Sequence, residues 1–176
     1  MDFPASVRRV RELCSEQGAP LAVVGGLALQ AYGVPRLTVD LDVLTTVDCQ
    51  DRLVRALEAD GYTTLHRSSG YSNHAHRDPK KGRIDVVYVD AATAAKLFEA
   101  ARHFELFPGI EVAVPSPEHL IAMKVLAMKN DPQRRLQDMA DIQRILRATR
   151  IDPEGVREYF ATHRLLELYD EIRESL

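Results

Sequence analysis

The stretch that most limits what this chain can become runs from Val23 to Leu44, VVGGLALQAYGVPRLTVDLDVL. An apolar run ends at Gly25 and Gly26, a short helical segment follows, and an alternating strand then carries Asp40 and Asp42. Side chains two apart in a strand share a face, so the two carboxylates stand together while Leu41 and Val43 face the other way. Like charges that close raise one another's pKa unless a cation lies between them. A divalent metal relieves that repulsion, and carboxylate oxygens suit Mg2+. The glycine pair precedes a helix start, whose free N–H groups can hold a phosphate. Each half also has an ordinary explanation: Gly-Gly is common turn chemistry, and Asp-x-Asp on an edge strand is often a solvated face. A phosphate cradle beside an acidic pair points to phosphoryl or nucleotidyl transfer.

Around this stretch the pattern alternates at first and then turns helical. Residues 4–17 read as a helix with Val7, Val10, Leu13 and Cys14 at helical spacing, stopped by Gly18. Residues 21–24 read as a short buried strand, 27–32 as two turns of helix, and 38–44 as the acidic strand. Asp48 is the expected N-cap of the next helix, with Asp51 in the reciprocal role and Gly61 at its end. Residues 62–66 read as a strand, and 67–82 as a polar connection without clear periodicity. Residues 83–90 form the next strand, with Asp85, Val87 and Val89 on one face and Ile84, Val86 and Tyr88 on the other. A helix over 91–104 and a strand over 110–114 follow. Ser116 with Pro117 opens a helix to 129, and further helices start at Asp131-Pro132, Asp152-Pro153 and Leu165. Strands first and helices gathered late predict an α+β fold, a mixed sheet flanked by helices. The expected organisation is a core over 1–115 and a C-terminal helical bundle over 116–176, packed on that core.

With 176 residues, 45% hydrophobic and 28% charged, the chain has the composition of an ordinary globular protein. A net charge of −3 gives no overall bias toward nucleic acid or acidic membranes. No apolar run approaches the roughly 18 residues that span a bilayer, and MDFPASVRRVREL has no signal-peptide core. A cytoplasmic setting with no membrane partner is expected. Cys14 and Cys49 stand far apart in no metal-like spacing, so free thiols are expected.

Asp85 is a third carboxylate, set among Ile, Val and Tyr where a lone Asp is costly without a partner. If its strand lies beside that of Asp40 and Asp42, the three could hold two Mg2+ ions about 4 Å apart. Asp85 would then also accept the proton of an incoming hydroxyl. The alternative is an Asp paired with Arg83 or Arg36.

G-G, thirteen residues, D-x-D and a later strand Asp together resemble the DNA polymerase β-type nucleotidyltransferase superfamily. The form R-x-T-x-D-x-D, as Arg36, Thr38, Asp40 and Asp42, is similar to the minimal bacterial AbiEii-like nucleotidyltransferases. In that group a helical lysine and an R-x-K-D-x-x-D helix follow. Here Lys124 stands in SPEHLIAMK, and Arg135, Asp138 and Asp141 stand in RLQDMADI, with Gln137 where Lys is usual. The resemblance covers 21–146. It implies Asp40, Asp42 and Asp85 as catalytic and metal-binding residues. It also implies Gly25, Gly26, Arg36, Thr38 and Lys124 as contacts to a nucleoside triphosphate such as ATP. Asp138 would support Lys124 or Arg135, or else sit in a surface salt bridge, the role expected of Asp141. The acceptor in similar proteins is often an RNA end or a protein side chain, and several act as toxins beside an antitoxin partner. An inactive nucleotidyltransferase-like binding module and a small-molecule, antibiotic-type enzyme are the alternatives.

His74 and His76 form an H-x-H pair that can bind zinc, though no further ligand stands at useful spacing. With Arg67, Arg77, Lys80, Lys81 and Arg83 they read instead as a local basic patch beside the site, or as a solvated hairpin tip.

Overall fold

The computed structural model describes residues 1–176. Helix α1 (Phe3–Ser15), capped by the Asp2 carboxylate, buries Val7, Val10, Leu13 and Cys14. Strand β1 (Ala22–Val23) leads into helix α2 (Gly25–Ala31), and β2 (Asp40–Thr46) follows an extended lead-in that leaves Leu37 and Val39 exposed. Helix α3 (Gln50–Ala59) precedes three strands, β3 (Thr63–Arg67), β4 (Tyr71–Ala75) and β5 (Arg83–Val89). Helix α4 (Ala91–Glu99) is followed by the hairpin β6 (Arg102–Phe107) and β7 (Ile110–Val114). The seven strands form one mixed sheet in the order β3-β4-β5-β2-β1-β7-β6. The pairs β2–β5 and β1–β7 are parallel and the others antiparallel. This is the α+β class with a mixed sheet that the order of elements predicts. Alternation places Leu41 and Val43 of β2 with Ile84, Val86 and Tyr88 of β5 in the buried layer.

The chain falls into two compact units, 1–31 with 36–115, and 32–35 with 116–176. The second holds α5 (Pro117–Asn130), α6 (Arg135–Ala148), α7 (Pro153–Thr162) and α8 (Leu166–Glu174). Ser116 caps α5 by accepting from the His119 amide at 3.3 Å, and Asp152 caps α7. Ile121, Val125, Ile142, Ile145, Val156, Phe160 and Ile172 make the interior of this unit. No helix of the chain is long and apolar enough to cross a membrane.

Three local expectations are corrected. Asp48 does not cap α3: a 3-10 turn at Val47–Cys49 intervenes and moves the cap position to Cys49, which makes no side-chain cap bond. The helix expected over 91–104 ends at Glu99, and the chain turns back as β6. Gly109, at φ +70°, makes the two-residue turn with Pro108 between Phe107 and Ile110. The connection expected over 67–82 contains β4, a strand whose polar residues hide its alternation.

Those polar residues form a chain of hydrogen bonds on the covered face. Tyr88 Oη donates to Ser72 Oγ (2.8 Å), which donates to His74 Nε2 (2.7 Å). His74 Nδ1–H donates to Thr64 Oγ1 (3.1 Å), which donates to Glu58 (2.7 Å). The direction follows because Glu58 only accepts, which leaves Thr64 Oγ1 to receive. His74 is fully buried and therefore belongs neither to a zinc site nor to a basic surface patch. His76 instead accepts the Asp78 amide at 2.9 Å. Of the patch's other members, Arg67 pairs with Asp51, and Lys81 Nζ donates to the Asp60 carbonyl at 2.9 Å.

Burial pushes the His74 imidazole below its ordinary 6.5. The unfolded chain therefore takes up the proton first, so this contribution to stability is complete above pH 6.5 and is lost as pH falls from there through the lower folded value. His119, also lowered by burial, acts with the same sign. Thermal melts between pH 7.5 and 5.5 should show Tm falling on acidification, and His74→Asn should make that fall shallower. An unchanged slope in the variant would place the titrating group elsewhere.

Candidate active site

The acidic strand is fitted against the glycine pair with almost no clearance. Gly25 opens α2 at φ +60°, a left-handed conformation that favours glycine. A Cβ there would lie 1.9 Å from Asp42 Oδ2 and 2.7 Å from Asp42 Cβ. A Cβ on Gly26 would lie 2.6 Å from the Cβ of Thr38. The Val24 amide donates to the Asp42 carbonyl at 3.0 Å, which holds the turn against the strand. At a phosphate held on free backbone N–H groups, glycine is the residue that lets the anion come close. The structure adds a nearer reason, since the space is already taken by Asp42 and Thr38.

Thr38 Oγ1, expected as a triphosphate contact, donates to Asp40 Oδ1 at 2.9 Å, so the threonine orients a carboxylate. Arg36 lies in the same lead-in, half-buried, its carbonyl held by the Gln30 amide at 2.7 Å.

Asp85 is brought to the pair by register. In the parallel ladder Asp42 lies opposite Asp85 and Asp40 opposite Arg83. Adjacent strands run about 4.8 Å apart and registered residues share a face, so Asp40, Asp42 and Asp85 stand on one side of β2 and β5. Arg83 Nε lies 3.7 Å from Asp85 Oδ1, so the ion pair open to Asp85 is made with Arg83 as well. Burial pushes the Asp85 carboxyl above the ordinary carboxylate range, and the charge of Asp40 adds to that. Tyr71, Arg83 and Asn73 act in the opposite direction.

Excess negative charge on hard oxygen donors fits a divalent cation. As the side chains stand, no three His, Cys, Asp or Glu residues are grouped to hold a metal ion. Asp40 is turned to Thr38, and Asp85 to Asn73 and Arg83. Asn73 and Tyr71, which reach Asp85 from β4, are absent from the sequence-derived set. The signal for them was the Ser69-Gly70 turn before the short polar run YSNHA.

Lys124 belongs to the second unit, where its Nζ donates to Asp138 Oδ1 (2.9 Å) and Asp141 Oδ2 (2.7 Å). Its side chain is 11% exposed, and those of Asp138 and Asp141 are 2% and 0%. Asp138 is thus paired with Lys124, while Arg135 pairs with Glu171 (3.6 Å). Asp141 is buried, which corrects its expected surface role. Two buried carboxylates need a cation between them, and Arg134 (3.4 Å) and Arg144 (3.6 Å) approach from the rim.

The family model for the nucleotidyl transferase AbiEii toxin of type IV toxin–antitoxin systems matches residues 10–175. The chain belongs to the AbiEii nucleotidyltransferase family. It is a nucleotidyltransferase, as the glycine pair and the acidic strand imply. Solved structures share the fold. The antibiotic-resistance factor ANT(2'')-Ia, in solution, matches with TM-score 0.68 at 16% identity, over 99% of this chain and 98% of its own. The lincosamide antibiotic adenylyltransferase LnuA, lincomycin-bound, matches with TM-score 0.58 at 12% identity, over 82% and 97%. A nucleotidyltransferase-family protein from Thermotoga maritima matches with TM-score 0.51 at 14% identity, over 80% and 96%. Among curated proteins no match is found.

The contact between Gly25 and Asp42 can be tested against Gly18, which has nearly the same φ (+65°) and open space around it. Gly18→Ala should lower stability in urea unfolding by about 1–2 kcal/mol, the cost of a left-handed alanine. Gly25→Ala should lower it by more and remove activity, since Asp42 must move. Equal losses in the two variants would refute the steric coupling.

Proposed function

We propose that this nucleotidyltransferase works in the cytoplasm, binds a nucleoside triphosphate with two Mg2+ ions, and transfers the nucleoside monophosphate to a hydroxyl. The acceptor is an RNA end or a protein side chain, and the protein acts as the toxin of a pair with an antitoxin partner. The observation that carries this reading is the unshifted β2–β5 register, which sets Asp85 beside Asp42 with Asp40 on the same face.

Asp40, Asp42 and Asp85 would hold the metal, whose charge neutralises the triphosphate and the developing negative charge. Gly25 and Gly26 offer backbone N–H groups to the phosphates, with Arg36 as a guanidinium contact. Thr38 keeps the Asp40 carboxylate in orientation. The acceptor oxygen forms its bond to the α-phosphorus as the bond to pyrophosphate breaks, and Asp85 takes the hydroxyl proton. A carboxyl raised by burial is better suited to that role than an ordinary one. Lys124 was expected to contact phosphate. Its two carboxylate partners favour a role in fixing α5 to α6.

Likeness to ANT(2'')-Ia over nearly the whole of both chains favours one second reading, a small-molecule hydroxyl as acceptor. An inactive binding module is disfavoured by the presence of all three aspartates.

Incubation of the protein with each α-labelled triphosphate, Mg2+, and either total RNA, cell proteins or aminoglycoside and lincosamide acceptors discriminates these readings. Label should enter RNA or protein. Asp42→Asn should reduce transfer and pyrophosphate release roughly 100-fold or more, the scale of losing one preorganised charge-stabilising group, with its circular dichroism unchanged. Activity that survives in Asp42→Asn, or in EDTA, would rule out the metal assignment.

A further inference from the structure

Beside the acidic face, β4 carries a pair of side chains with no part in the reading above. Asn73 lies opposite Asp85 in the antiparallel ladder and Tyr71 opposite Val87, so both share the face of Asp85. The row Asn73, Asp85, Asp42 therefore runs straight across β4, β5 and β2. The Asn73 amide Nδ2 donates to Asp85 Oδ1 and also to Tyr71 Oη, at 3.3 Å. The Tyr71 phenol adjoins Asp85, and burial with the neighbouring Asp85 charge pushes that phenol up to about 12. Asn73 is 3% exposed, and its own Oδ1 is buried without a partner.

That orphaned oxygen is informative. A buried amide with an unsatisfied acceptor is a poor choice for packing alone, because the acceptor has been stripped of water for no return bond. An aliphatic side chain would fill the position without that penalty. Both amide hydrogens, by contrast, are in use, one on Asp85 and one on Tyr71. A strand aspartate is otherwise free to change rotamer, and fixing one oxygen of a planar carboxylate fixes where the other points.

We propose that Asn73 and Tyr71 are positioning residues that hold the Asp85 carboxylate in the orientation from which it binds the metal. The inference rests on the metal-dependent site proposed above and extends it to a strand outside the recognised motif. Partners of this kind, bonded to a ligating carboxylate, change metal affinity by roughly 10- to 100-fold when removed. Tyr71 holds the Asn73 amide that holds the carboxylate, so their effects are coupled and the double variant loses less than the product of the single losses.

The test is Mn2+ binding to the full chain without nucleotide, read from the electron paramagnetic resonance of free Mn2+, with Tm as the check on folding. Asn73→Ala should weaken Mn2+ binding about tenfold. Tyr71→Phe, which keeps the ring and removes only the hydroxyl, should weaken it by a smaller factor with Tm nearly unchanged. In turnover, both should lower kcat while KM for the triphosphate stays within about twofold, since the phosphate contacts are untouched. Mn2+ affinity equal to wild type in a folded Tyr71→Phe and Asn73→Ala, or tighter, overturns the proposal. If the wild-type chain binds no Mn2+, or if Asp42→Asn binds it equally well, the metal reading itself falls and takes this inference with it.

Discussion

The pairing of β2 with β5, parallel and unshifted, is the constraint from which the candidate site follows. Strand side chains alternate, so a slip of one residue would send Asp85 to the opposite face, among Leu41 and Val43 of β2. The apolar residues prevent that slip. Leu41, Val43, Ile84 and Val86 must all face the covered layer, where each is at most 1% exposed. The hydrophobic pattern that stabilises the sheet is thus the same pattern that places three acids on its other side. The geometry of the candidate site is a by-product of register.

The chain deals with close carboxylates in two ways. In the helical unit Asp138 and Asp141 share the ammonium of Lys124, and the charges are balanced within the protein. Removing such a cation typically costs 3–5 kcal/mol, on the order of half a domain's stability. On the sheet, Arg83 approaches Asp85 at 3.7 Å with its own side chain half exposed, and Asp85 still sits above the ordinary carboxylate range. The first arrangement is complete in itself. The second leaves negative charge in place where an incoming cation would be stabilised, at the expense of the stability of the sheet.

Much of this was legible in the residues alone, and the reasons are specific. Gly25, Gly26, Asp40 and Asp42 are close in sequence, so local geometry brings them together, and period-two alternation places Asp85 on a face. The α+β class followed from the order of elements. What could not be read was whatever depends on tertiary partners. Asn73 and Tyr71 were hidden because β4 is polar on both faces: His74 and Ser72 are buried in a hydrogen-bonded chain, so no apolar alternation marks the strand. The burial of Asp141 depends on Lys124, 17 residues away, and no spacing rule connects two helices across that distance. The β6 strand was missed although Pro108-Gly109 announced its turn, because Ala91–Glu99 has helical character that extrapolates smoothly past its end.

The deciding question is whether the three aspartates surround a bound cation at a triphosphate. Diffraction at the manganese absorption edge, from crystals grown with Mn2+ and a non-hydrolysable triphosphate analogue, answers that directly. The predicted result is anomalous density ringed by carboxylate oxygens of Asp40, Asp42 and Asp85, with the triphosphate lying along Gly25 and Gly26. A triphosphate bound elsewhere, or manganese that leaves Asp85 turned away, would contradict it.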